Sequence, residues 1–346
     1  MNGTQVIVVT CAKDETWMMD RFLATSSRFA DHIIVMDEMT GLTDATAIYK
    51  KYPKVILHKI DKPMRYDFKR RFVFAEARKI QCDKRIIVAL DADEILSANV
   101  LKSREWQTVL DAEPGTLINF QWVTLWKDVH QYRVTDPKVF GPPYRSIWVD
   151  DGVSEIPEVG EQGFHMAYTP LDAKKKIYLN EIVCLHYQFC HWERTESKHR
   201  LYRAKEKAVI KKLSDIGIYR MYGYMNSMTF NPTKPCPEHW FKGWEELGID
   251  ISSVIEENLY YFDLELLQLI DQHGADFFSR QDIWSADWKK IIAAAKAIGK
   301  LNPDYQMKYP KPSLANKLFH KYVQSTIDSK PFLYLEKKLL KYGWYY

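Results

Sequence analysis

Asp91-Ala92-Asp93-Glu94 follows directly on the apolar run Arg85–Leu90. Two carboxylates two residues apart at a strand end can hold one divalent cation while that ion bridges a diphosphate. Hard oxygen donors suit Mg²⁺ or Mn²⁺. An ion so placed neutralises the charge developing on a departing nucleoside diphosphate. One acid is enough to cap a following helix, and three in four positions exceed that need. A second acid, Asp37, ends the run His32–Met36 and precedes Gly41-Leu42-Thr43-Asp44-Ala45-Thr46. It can accept from a ribose hydroxyl or a base N–H, whereas Asp44 reads equally as a helix cap. The third signal is cationic. Lys62 to Arg85 holds nine Lys and Arg against three acids, a net of +6, and His191 to Lys212 holds eight against three, a net of +5. A solvated helix face gives the same pattern. Arg71 is singled out because it opens the helix that feeds the Asp-x-Asp strand.

The elements that must position these groups alternate. Val6–Val9, His32–Met36, Val55–Lys59 and Arg85–Leu90 read as strands, with helical spacing over Thr16–Phe29, Thr43–Tyr52 and Phe68–Ile80 between them. Strands separated by helices imply a parallel sheet, whose ligands bind at the carboxyl ends of its strands. Thr10, Asp37 and Asp91–Asp93 occupy those ends. Thr116–Trp126 and Lys176–His186 alternate like further strands. Asp136–Pro170 between them has the Pro and Gly content of an active-site loop region. A charged amphipathic helix is expected over 192–213, with helical patterns from Trp240 onward. The expected division is a catalytic domain over 1–190 and a mainly helical region over 191–346 that serves as lid, acceptor platform or oligomer contact.

Composition bounds the rest. The chain has 346 residues, 46% hydrophobic and 14% aromatic, with a net charge of +4. This excludes a disordered or fibrous chain, and the near-neutral total argues against a polyanion such as nucleic acid. Five cysteines without a Cys-x-x-Cys read as reduced thiols of a cytoplasmic protein. No signal peptide is legible at the N-terminus, and no stretch approaches the roughly 20 apolar residues of a membrane span. Only Gly3 and Gly41 precede Gly115, so a dinucleotide fingerprint and a P-loop are both missing. Cys184, His186, Cys190 and His191 fall close together without a usual zinc spacing. Cys184 and His186 read instead as strand residues, one inward and one outward.

Together these motifs resemble a family 2 glycosyltransferase of the GT-A fold. Its pattern is a strand and polar loop (Val6–Glu15), then a strand ending in Asp with a Ser-Thr-Asp-Gly-Thr-like turn (Asp37 and 41–46). An Arg-bearing helix (Arg71–Lys79) and the Asp-x-Asp strand (Ile86–Glu94) complete it. Leu-Asp-Ala-Asp-Glu-Ile-Leu (90–96) is similar to bacterial cell-surface polysaccharide and lipopolysaccharide enzymes. The likeness covers under a third of the chain. It departs at Glu38-Met39, where the family often has Asp-Asp or Asp-Gly, and at Ala45, where it usually has Gly.

The resemblance implies a mostly parallel α/β sheet flanked by helices and a nucleotide-sugar donor, with UDP the expected nucleotide. Thr10 and Asp37 would contact the nucleoside, and Arg71 the base or diphosphate. Asp91 would serve ribose and metal, and Asp93 the metal. His186, in Leu-His-Tyr, would complete the metal or diphosphate site or, equally, be a buried strand histidine. Inversion needs a general base on the acceptor hydroxyl. Asp151 or Glu155, in Trp148–Glu155, is chosen for it, although Asp-Asp-Gly is also good turn chemistry.

The expected activity is a metal-dependent inverting hexosyltransferase acting on a glycan or lipid-linked acceptor. Its alternatives are a sugar-phosphate nucleotidyltransferase, which should carry a Gly-rich N-terminal loop, and a non-catalytic nucleotide-sugar-binding module. Leu314–Tyr346 is expected to dock on the catalytic domain. The other reading lays it on a membrane, with Trp344, Tyr345 and Tyr346 at the interface.

Overall fold

A computed structural model describes residues 3–62, 64–134, 144–158, 169–211, 213–226 and 232–341. Much of Asp136–Pro170, and Trp344, Tyr345 and Tyr346, lie outside the described residues. The contacts divide the chain into two compact units.

The first unit is built on a mixed α/β sheet. β1 (Thr4–Ala12), β2 (His32–Glu38), β3 (Val55–Ile60) and β4 (Lys84–Ala89) are parallel, in the spatial order β3-β2-β1-β4. α1 (Thr16–Ser26), the short α2 (Thr46–Tyr49) and α3 (Tyr66–Arg78) connect them. The apolar runs of β1, β2 and β4 are buried on both faces, whereas the edge strand β3 is half-buried. Val6, Val8, Ile33, Val35, Ile86 and Val88 pack in one core with Met18, Met19, Phe22 and Leu23 of α1. Their alternates Ile7, Val9, Ile34, Met36, Ile87 and Ala89 pack with Val73, Phe74 and Ala77 of α3.

Beyond β4 come the three-residue β5 (Glu94–Leu96), α4 (Arg104–Asp111), β6 (Thr116–Trp126), β7 (Asp128–Arg133), β8 (Tyr144–Val149) and β9 (Lys175–His186). β8 inserts antiparallel between β4 and β6, and β9 runs parallel to β6. Ile86 pairs with Val149 and Val88 with Ile147. The start of β8 therefore lies at the carboxyl edge of the parallel strands, and its end lies at their amino edge. β5 pairs antiparallel with β9, setting Glu94 opposite His186.

This unit also takes in Lys234–Glu256. Trp240, Phe241 and Trp244 join its core, and the fully buried Trp244 indole donates to the Leu96 carbonyl at 3.0 Å. The helix expected over Thr43–Tyr52 shortens to α2, where the Asp44 carboxylate accepts from Thr46 N at 2.8 Å.

The second unit is mainly helical and includes Trp192–Thr233 and the residues from Glu257 onward. Its main helices are α5 (Trp192–Lys205), α6 (Asp215–Asn226), and, after β10 (Thr233–Pro235) and α7 (Lys242–Glu246) of the chain, α8 (Tyr261–His273), α9 (Trp288–Ala297), α10 (Leu314–Ser325) and α11 (Lys330–Lys341). α5 ends at Lys205, and a wider helical turn follows over Glu206–Ile210, closed by Lys211 at φ 56°. α10 docks by burying Phe319 and Val323 against Ile216 and Tyr219 of α6. No helix among the described residues is long and apolar enough to cross a membrane.

Candidate functional site

At the carboxyl edge of β4 the chain closes a tight turn. Glu94 N–H donates to the Asp91 carbonyl at 3.0 Å, and Asp91 N–H donates to Glu94 Oε2 at 2.9 Å. Glu94 is fully buried. Its Oε1 accepts from the Trp122 indole at 2.7 Å and from Arg145 Nε at 2.8 Å, with Arg145 Nη2 also 2.7 Å away. The Arg145 guanidinium lies over the Trp122 ring, 4.2 Å from its centroid, and Trp122 stacks on His186 at 4.7 Å. His186 Nε2 stands 3.4 Å from Asp93 Oδ2, while its buried Nδ1 has no hydrogen-bond partner. The Asp91 carboxylate is about a third exposed. One oxygen lies 3.6 Å from Arg70 and the other 3.6 Å from Arg145.

The neighbouring strand ends complete the edge. Thr10 is buried and its hydroxyl has no hydrogen-bond partner. Thr10, Cys11, Arg70, Phe74, Leu90 and Asp91 line a pocket between the ends of β1 and β4 and helix α3. Burial pushes the Cys11 thiol up to about 12, so it sits there as a neutral apolar group. Asp37 accepts from the Tyr49 hydroxyl at 2.9 Å, yet burial, the largest influence on it, holds its carboxyl above the usual range. Asp14, at φ 51°, joins the first two loops by accepting from Thr43 N at 3.3 Å and from the hydroxyls of Thr40 and Thr43. Glu38 is paired with Lys13 at 2.9 Å and with Lys69. Burial opposes its ionisation, but the hydrogen bonds from these two lysines outweigh it and lower its carboxyl.

Thr10, Asp37, Asp91, Asp93 and His186 thus all stand at one sheet edge. Three expected residues do not join them. Arg71 turns outward to Glu158, and of α3 it is the buried neighbour Arg70 that stands beside Asp91. One residue shifts a helical side chain by about 100°, which is enough to change its face. Asp151 and Glu155 follow the end of β8 at the opposite, amino edge. Asp150 N–H donates there to the carbonyl of Arg85, the second residue of β4. Six residues of extended chain between Arg85 and Asp91 span roughly 20 Å. Asp151 closes its own turn, accepting from Val153 N at 3.0 Å and Ser154 N at 2.9 Å, while Glu155 pairs with Arg78 at 2.7 Å. Neither acid is brought beside Asp93: Asp151 is engaged in its turn and Glu155 in its ion pair.

The cationic runs also resolve into pairs. Arg78 and Arg85 bind the buried Asp150, and Arg65 binds Asp67. In the second unit Arg200, Arg203, Lys205 and Lys207 bind Asp263, Asp282, Glu265 and Asp215. Cys184 and His186, two apart on a strand, are both buried rather than one inward and one outward. All five cysteines are free thiols. Sequence reasoning missed Asp14, Arg70, Trp122 and Arg145 and used Glu94 only as a third acid. The pairing of β6 with β8 brings Trp122 and Arg145 to this edge, and nothing local in the sequence announces it.

Among the described residues no group of three or more His, Cys, Asp and Glu is gathered as a metal centre. The donors present nevertheless fit one kind of ion. Mg²⁺ and Mn²⁺ are commonly held by one or two carboxylates, with phosphate oxygens and water completing the shell. Asp93 with His186, and Asp91 two residues away, supply such a partial set.

No family profile matches the sequence, and no curated protein does. Solved structures similar to it include S. aureus TarS 1-349, at 11% identity over 99% of this chain and 93% of that one, with a TM-score of 0.40. The same segment in complex with UDP-GlcNAc is similar at 12% identity over 70% of this chain and 80% of that one, with a TM-score of 0.39. A longer S. aureus TarS structure is similar at 11% identity over 65% of this chain, with a TM-score of 0.38, and this chain spans 45% of its length.

Proposed function

We propose that the chain is a glycosyltransferase that moves a sugar from a nucleotide-diphosphate donor, UDP-linked in the first instance, to a glycan or lipid-linked acceptor. The observation that carries this reading is the convergence of Asp91, Asp93, His186 and Arg70 at one strand end, beside the pocket lined by Thr10 and Cys11. A pocket at the carboxyl edge of parallel strands is where such sheets bind nucleotides. Acids and guanidiniums beside it suit a diphosphate better than a neutral ligand.

In this reading Thr10 and Asp37 hold the nucleoside, and Arg70 meets the diphosphate. Asp91, Asp93 and His186 are the residues that would hold a divalent cation, which supplies Lewis-acid stabilisation of the leaving diphosphate. Displacement with inversion is the route that the resemblance to family 2 enzymes implies. The base for the acceptor hydroxyl then belongs to the carboxyl edge, since Asp151 and Glu155 lie at the other. The protein's place would be the cytoplasm. The exposed side of α10, with Leu314, Lys317, Leu318 and Lys321, supports a peripheral contact with anionic lipid.

The test is slow hydrolysis of nucleotide sugars without acceptor. Release of UDP that requires Mn²⁺ or Mg²⁺ and disappears in Asp93→Ala is expected. Failure of UDP-, GDP- and dTDP-sugars alike to be hydrolysed or to raise the melting temperature would contradict the reading.

A further inference from the structure

Arg145 occupies an unusual position. It comes from β8, which pairs antiparallel with both β4 and β6, and its guanidinium is fixed from two sides. Below it lies the Trp122 ring at 4.2 Å, and at its edge Glu94 takes Nε at 2.8 Å and Nη2 at 2.7 Å. A fully buried carboxylate is costly unless its lone pairs are filled. Glu94 fills them with Arg145, the Trp122 indole at 2.7 Å and Asp91 N–H at 2.9 Å. The same carboxylate therefore fixes the Asp-x-Asp turn and the arginine beside it. A guanidinium has five N–H donors, and Glu94 engages one edge of this one. Its contact with Asp91 is looser, at 3.6 Å, on the oxygen opposite the one that faces Arg70. Two guanidiniums from different elements thus bracket one partly exposed carboxylate.

We propose that Arg145 is a diphosphate-binding residue of the donor site and that Glu94 is its positioning residue. The proposal rests on the nucleotide-sugar reading above and adds a residue to it. Arg recognises phosphate oxygens with a planar fork. Stacking and the Glu94 bonds leave this fork little rotamer freedom to lose on binding, so it is preorganised for an anion arriving beside Asp91. Trp122 also stacks on His186, at 4.7 Å.

The test compares binding of UDP and uridine to the full chain by calorimetry in Mn²⁺, with GDP and dTDP and their nucleosides as further probes. Arg145→Met should weaken the nucleoside diphosphate at least tenfold and leave the nucleoside within twofold. Arg145→Lys should restore part of the loss, because it returns a charge without the fork. Glu94→Gln should weaken the diphosphate severalfold, again sparing the nucleoside, and circular dichroism should show it folded. Equal weakening of diphosphate and nucleoside, or none of either, would overturn the proposal. If the unaltered chain binds none of the three diphosphates, the nucleotide-sugar reading itself fails. If it binds one and Arg145→Met changes nothing, only the present proposal fails.

Discussion

The acidic stretch at the end of β8 should behave as an anchor, and its three acids should separate in experiment. The Asp150 side chain is fully shielded from solvent. It accepts from Arg78 at 2.9 and 3.1 Å and from Arg85 at 2.8 Å. Removing one member of a buried pair costs about 3–5 kcal/mol, because the remaining charge stays buried. Here both arginines keep other acceptors: Ser154 O and Glu155 for Arg78, and the carbonyls of residues 78 and 80 for Arg85. Each arginine side chain is also 15–18% exposed. The low end therefore applies, and Asp150→Ala should cost about 3 kcal/mol, roughly a hundredfold in the unfolding constant. Asp151→Asn keeps an oxygen for the turn N–H groups and loses the one that accepts from the Ser154 hydroxyl, and Glu155→Gln loses an exposed ion pair, so each should cost under about 1 kcal/mol. Urea unfolding followed by tryptophan fluorescence reads all three. Neither Asp151→Asn nor Glu155→Gln should alter nucleotide binding or sugar-nucleotide hydrolysis. A loss of turnover by about a thousandfold in either, with stability unchanged, would refute the placement of this stretch away from the reacting groups.

Glu38 titrates below its ordinary value of 4.5 in the folded chain, so its stabilising contribution is complete above about pH 4.5 and is lost as pH falls through the folded value. Glu38→Gln should lower stability at neutral pH and flatten the loss as pH falls below about 4.5, as melting curves taken at decreasing pH would show. An unchanged acid limb would mean that the lysine pairs do not hold Glu38. Vesicles rich in phosphatidylglycerol should sediment the chain at low salt, and Leu314→Glu with Leu318→Glu should weaken this binding about tenfold or more. Undiminished binding by the double variant would dismiss α10 as the contact.

The parallel half of the fold was legible because its strands are covered on both faces, which turns Val6–Val9, His32–Met36 and Arg85–Leu90 into unbroken apolar runs. The strand ends then named Thr10, Asp37, Asp91 and Asp93 without any tertiary knowledge. Three things were not legible. Helix phase separates Arg70 from Arg71 by one residue. Strand direction separates Arg145, at the start of β8, from Asp151, just past its end, and alternation looks the same read either way. Long-range return brings Trp240 and Trp244 into the first core, where Trp244 meets Leu96 across 148 residues of sequence. Each concerns where a residue points after the chain has turned, which period and composition alone do not encode.

In the proposed function the Asp91–Glu94 edge binds a nucleoside diphosphate with a divalent cation. Calorimetric titration of UDP into the full chain, with and without Mn²⁺, tests it most directly when paired with Asp93→Ala. In the unaltered chain Mn²⁺ should tighten binding at least tenfold, and in the variant it should not. UDP binding that ignores both Mn²⁺ and Asp93→Ala would contradict it.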